Sequence, residues 1–137
     1  MSRSNNLSHA IEGHRQWALE LLQDLVRIPS LEGEEKPCQE LIATKLKELG
    51  LNVDVWVPSG DELASHKAYV PSQFGYEDRP NVVGKLSGQG NGRSLILSGH
   101  VDVVPTGPIE SWTHSPWSGD FEDGKVYGRG ACDMKGF

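Results

Sequence analysis

Between residues 8 and 28, apolar side chains recur at three- and four-residue spacing: Ile11, Ala18, Leu21, Leu22, Leu25 and Val26. That spacing gathers them on one face of a helix. Pro29 ends it, because proline has no N–H to donate and its ring clashes with the preceding turn. Ser30 to Glu35 read as an acidic loop. Cys38, Leu41, Ile42, Leu46 and Leu49 repeat the helical spacing, predicting a second helix from about Glu34 to Leu49. Pro37 is tolerable in its first turn, and Gly50 is the natural C-cap. The period then changes to two. Leu51, Val53, Val55 and Val57 alternate with Asn52, Asp54 and Trp56, as in a half-buried strand. Asn81 to Leu86 predicts a second strand. Ser94 to Val104 begins as a third, with Leu95-Ile96-Leu97 as its buried centre. Gly119 to Tyr127 predicts a hairpin turning at Asp123-Gly124. Residues 58–80 show no period and hold glycine, proline, serine and charge, so they read as a long surface excursion.

Helices followed by apolar strands predict an α/β layer fold. The 137 residues suffice for one domain. The last residues, Met134-Lys135-Gly136-Phe137, offer no cap and no closing element, and read as a cut through a larger domain. The net charge of -6 comes without a basic patch, which argues against nucleic-acid binding. No apolar run reaches the roughly 18 residues of a membrane span. The polar start, Met1 to Asn6, carries no signal-peptide core. A cytoplasmic protein is the expectation. Cys38 and Cys132 are far apart and form no CxxC pair, so neither a disulfide framework nor a cysteine zinc site is expected. Cys132 reads as a small buried filler.

Two short segments carry candidate chemistry. In Ser98-Gly99-His100-Val101-Asp102-Val103-Val104, His100 and Asp102 are two apart, so on a strand their side chains share a face. A metal-bound histidine commonly gives its second N–H to a carboxylate. The competing reading is an exposed histidine beside a turn-forming aspartate. In Gly128-Arg129-Gly130-Ala131-Cys132-Asp133-Met134-Lys135-Gly136, glycines flank one aspartate. Glycine permits close approach and positive φ, so such a segment can wrap a site and present Asp133. The competing reading is a glycine-rich turn with a solvated aspartate.

Taken together, the two segments resemble the paired signature of the M20 metallopeptidase family. This is the acetylornithine deacetylase, succinyl-diaminopimelate desuccinylase, aminoacylase-1 and glutamate carboxypeptidase type. Trp112 to Gly119 resembles its Trp-x-x-x-Pro-aromatic segment, and Arg79 to Gly84 its entry into the second strand. The resemblance implies the N-terminal part of a zinc-peptidase-like α/β/α sandwich with a mixed sheet, stopping before a lid domain. It implies that His100 ligates one zinc, that Asp133 bridges two, and that Asp102 orients His100 and tunes the general base. It also implies a cis peptide after Asp133. Two Zn2+ ions, or Co2+ in their place, would serve amide hydrolysis of a small N-acyl amino acid or short peptide. The resemblance allows a homodimer formed through the lid. The general-base glutamate and the remaining ligands would lie beyond Phe137, so the 137-residue chain alone is expected to be inactive. The rival reading is an incompetent fragment or paralogue serving only as a folding or interaction module.

Other residues are set aside. His9, His14, His66 and His114 read as solvated or loop residues. Trp112 and Trp117 read as packing. Arg129 suits either a substrate carboxylate or a structural salt bridge.

Overall fold

The computed structural model describes residues 3–137, with side chains from residue 6 onward. The predicted first helix is two helices, α1 (Arg3–Gly13) and α2 (Arg15–Arg27), interrupted at His14. Gly13 stands at the break, and glycine is among the weakest helix formers. Ile11 is 63% exposed on α1, so the predicted apolar face belongs to α2, which buries Leu25 and Val26. Helix α3 (Lys36–Glu48) carries Pro37 in its first turn. Gly50, at φ 79°, ends it as predicted. The N–H of Gly50 donates to Lys47 O and that of Leu51 to Leu46 O, which closes a Schellman cap.

Strand β1 (Asn52–Trp56) pairs antiparallel with β2 (Asn81–Lys85), Asp54 opposite Val83. Helix α3 lies on this ribbon. Gly84 permits the approach, since a Cβ there would stand 2.9 Å from Leu51 Cδ2 and 3.1 Å from Leu46 Cδ1. Within the excursion, α4 (Gly60–Leu63) is a single turn capped by the Ser59 hydroxyl. The excursion is fastened to the start of α3. Arg79 donates to both carboxylate oxygens of Glu35, at 2.7 and 3.1 Å, and Lys36 pairs with Asp78 at 2.7 Å. Strands β3 (Asp120–Glu122) and β4 (Lys125–Tyr127) form the predicted hairpin, with Asp123 and Gly124 both at positive φ. Gln23 and Arg27 of α2 donate to the carbonyls of Gly119 and Ser118 and hold the hairpin down.

The predicted third strand is not formed. Residues 94–100 have no strand partner among the described residues, and Leu95, Ile96 and Leu97 are 82, 86 and 79% exposed instead of buried. A strand needs a neighbour for its backbone N–H and C=O groups. Here β2 pairs only with β1, and the one ladder contact farther along is a parallel bridge between Leu31 and Val103. The mixture of helix and strand is as expected, but the described residues assemble two separate ribbons in place of one mixed sheet. The core lies where α2, α3 and residues 101–103 meet: Leu25, Cys38 and Val101, with Leu21, Ile28, Leu41 and Ile42 packed against them.

Candidate metal centre

Residues 98–104 run extended without belonging to a sheet, and they are pinned to the segment that follows α2. The Ser30 hydroxyl donates to Val101 O at 2.6 Å, and Val103 N donates to Ser30 O at 2.9 Å. Val101 and Val103 turn inward, so His100 and Asp102 turn outward together. Asp133 arrives from a tight turn, Ala131–Lys135, whose entry is forced against the core. Gly128 and Gly130 both have positive φ, and a Cβ would collide with Val26 at the first and with Val103 at the second. No other residue type fits either place. The peptide between Asp133 and Met134 is cis.

The three predicted residues meet. Asp102 lies on one side of the imidazole, its Oδ1 3.3 Å and its backbone O 3.1 Å from His100 Nδ1. Asp133 lies on the other, its Oδ1 3.2 Å from Nε2. They line an open depression of about 270 Å3 with Arg129 in its wall. A larger depression, about 600 Å3, lies between α2 and the hairpin, but its walls, Leu19, Leu22, Phe121, Val126 and Phe137 among them, are mostly apolar.

This geometry constrains the proton. Both Asp102 atoms facing Nδ1 are acceptors, so Nδ1 carries the hydrogen. With its hydrogen on Nδ1, the ring turns Nε2 towards a carboxylate oxygen. Two acceptors 3.2 Å apart need a cation between them, either a proton or a metal ion. The donor set fits zinc. Two donors each about 2.1 Å from a tetrahedral ion stand roughly 3.4 Å apart, close to the separation seen here. The fit covers two positions only. Among the described residues, no three His, Cys, Asp or Glu side chains converge on one point, whereas catalytic zinc ordinarily takes three protein ligands and a water.

Several side chains set aside from the sequence prove informative. His114 lies in a loop as expected, but it is held there by its neighbours. It stacks on Tyr127 with centroids 4.0 Å apart and meets Asp120 at 3.0 Å. That hydrogen bond holds the Asp120 carboxyl below its usual value. The acidic residues of the hairpin, Asp120 and Glu122, were the only signal in the sequence that a basic partner is wanted there. Cys132 is exposed, not buried filler, because the turn points it away from the core. Arg129 makes no salt bridge among the described residues. Its guanidinium lies 5.0 Å from the ring of Trp112, and one N–H donates to Pro105 O. Trp112 is half-buried and donates to Thr106 O, a packing role as expected. His66 accepts from Ala68 N within its own turn.

Glu35 and Glu32, in the loop after α2, are both engaged. Glu35 is engaged by Arg79. Burial alone would raise the Glu35 carboxyl, but the hydrogen bonds from Arg79 and from backbone N–H groups outweigh it and hold the pKa below the usual range. Glu32 accepts from the Ser72 hydroxyl at 3.0 Å.

Known proteins are similar to this chain across the stretch that holds these residues. The profile of peptidase family M20/M25/M40 matches residues 96–137, the stretch containing His100, Asp102 and Asp133. The chain is 37% identical over 117 residues to a succinyl-diaminopimelate desuccinylase of Cupriavidus necator, covering 85% of this chain and 27% of that protein. It is 39% identical over 119 residues to that of Methylobacterium radiotolerans, covering 87% of this chain and 26% of that protein. A Methylorubrum populi desuccinylase is 38% identical over 121 residues, 88% of this chain and 27% of its own length. The chain thus spans about a quarter of the length of these relatives. By its sequence, the chain belongs to the M20/M25/M40 peptidase family.

Proposed function

We propose that this chain carries part of the metal centre of an amide hydrolase that removes the acyl group from a small N-acylated amino acid. An N-succinyl diamino acid is the first candidate, given the desuccinylases to which the chain is similar. The observation that carries the reading is the position of His100, with one ring nitrogen against Asp102 and the other 3.2 Å from Asp133. Zinc bound there would supply a Lewis acid able to polarise an amide carbonyl and acidify water. The chain's own residues orient the ring and present the carboxylate. Asp102 keeps the proton on Nδ1 and fixes the plane of the ring, which leaves the Nε2 lone pair free to ligate. Asp133 presents one oxygen to the same point. Its side chain is 88% exposed, so its second oxygen would be free to hold another cation. This reading draws its general base from a group other than Glu35 and Glu32, which Arg79 and Ser72 hold. The α/β/α sandwich and its lid belong to the same proposal.

A chimera tests it. In the Cupriavidus necator desuccinylase, the matching quarter is replaced by this chain, and zinc-dependent release of succinate from N-succinyl-diaminopimelate is measured. The proposal expects turnover that a chelator stops and that His100→Ala removes. A folded, zinc-loaded chimera without turnover would count against it.

A further inference from the structure

Pro29 leaves the end of α2 short of a donor. The Leu25 carbonyl would ordinarily accept from the N–H four residues on, and that residue is proline. It receives instead a long 3.3 Å bond from the Ile28 N–H. The Ile28 carbonyl, at the C-cap, lies past the helical ladder. Both carbonyls are met by one side chain from more than a hundred residues away. Lys135 Nζ donates to Leu25 O and to Ile28 O, each at 2.8 Å. Lys135 is only 6% exposed, and its backbone N–H donates to Gly130 O at 2.9 Å, closing the turn that carries Asp133. A cation at this point also meets the negative end of the helix dipole. Nothing in the proposed chemistry uses this ammonium group.

The other half of the site hangs from the same stretch. Ser30, immediately after Pro29, holds Val101 and Val103 and therefore the segment bearing His100 and Asp102. Residues 25–31 thus anchor both arms of the centre, one through Ser30 and one through Lys135.

We propose that Lys135 is a positioning residue: by docking on the two carbonyls at the end of α2, it sets Asp133 against His100. The inference rests on the reading of His100 and Asp133 as a metal-binding pair. Its geometry can be checked without metal. A Cβ on Gly99 would stand 3.0 Å from Met134 Cε, so the Met134 methyl lies against Gly99. A nuclear Overhauser contact between that methyl and the Gly99 α-protons therefore reports the position of the turn.

The experiment compares the 137-residue chain with Lys135→Met, which keeps the bulk but no donor, and Lys135→Gln, which keeps a shorter donor. The wild-type chain should show the contact. Lys135→Met should lose it while core contacts among Leu25, Cys38 and Val101 remain, and its zinc affinity should fall about 10–100-fold, as for other supporting groups. Lys135→Gln should fall between. A Lys135→Met chain that keeps both the contact and the affinity overturns the proposal. So does loss of the core contacts together with the Met134 contact in both variants, which would make Lys135 a general stabiliser. If the wild-type chain binds no zinc yet Lys135→Met selectively loses the contact, the positioning role stands and the metal reading falls.

Discussion

Nε2 of His100 lies 3.2 Å from Oδ1 of Asp133, although the two residues belong to segments separated by a turn and a hairpin. Both segments are held by residues 25–31, one through Ser30 and one through Lys135. Substituting the ring and its orienting carboxylate should therefore have different consequences. His100→Ala removes a donor and should abolish zinc binding by the chain. Asp102→Ala removes only the group that fixes the ring and should weaken binding about 10–100-fold. Metal retained after dialysis, measured by mass spectrometry, separates the two; equal loss would contradict the division of roles.

The glycines before Asp133 predict a loss of a different kind. Gly128→Ala would push a methyl into Val26 in a backbone region that disfavours side chains. It should cost about 2–4 kcal/mol, combining backbone strain with overpacking. Urea denaturation measures it. A change within about 0.5 kcal/mol, the range of an ordinary surface substitution, would show that the turn does not pack on α2 as described.

Arg79 and Glu35 predict a pH dependence. The folded-state pKa of Glu35 is held below its ordinary value, near 4.5. Its contribution is therefore complete above that value and is lost as pH falls through the lower folded pKa. Acid should destabilise the wild-type chain more steeply than Glu35→Gln below about pH 4.5. At neutral pH, Arg79→Met should cost about 3 kcal/mol, because it leaves a largely buried carboxylate without its partner. Parallel pH profiles for wild type and Glu35→Gln would count against this.

Leu95, Ile96 and Leu97 are the test of the missing strand. A side chain as exposed as Ile96 contributes little to folding, so Ile96→Lys should shift stability by less than about 0.5 kcal/mol. It should also reduce self-association, since it breaks an apolar surface run. Light scattering and thermal unfolding together check this; a large loss of stability would mean that these residues are buried after all.

The contrast between these elements shows what the sequence made legible. The caps and turns were readable because they are decided locally. Pro37, Gly50 and Asp123-Gly124 each impose one backbone solution whatever surrounds them. The pairing of His100 with Asp102 was readable for the same reason, being two residues apart in extended chain. Leu95 to Leu97 misled because an apolar run states a demand for burial without saying what meets it. The first helix was misjudged because an apolar period running past Gly13 hid a break that glycine made possible. The environments of His114 and Lys135 were not legible. Each is fixed by partners brought in by tertiary packing, Tyr127 and Asp120 for one and the end of α2 for the other.

The claim that His100 and Asp133 hold a shared cation is tested most directly at the ring nitrogens of His100. The chain is labelled with 15N-histidine and titrated with zinc, alone and as Asp133→Asn. The account predicts that Nε2 moves to the shift of a metal-bound nitrogen while Nδ1 keeps its proton against Asp102, and that Asp133→Asn needs markedly more zinc for the same change. Binding through Nδ1, no response at Nε2, or an Asp133→Asn titration matching the wild type would contradict it.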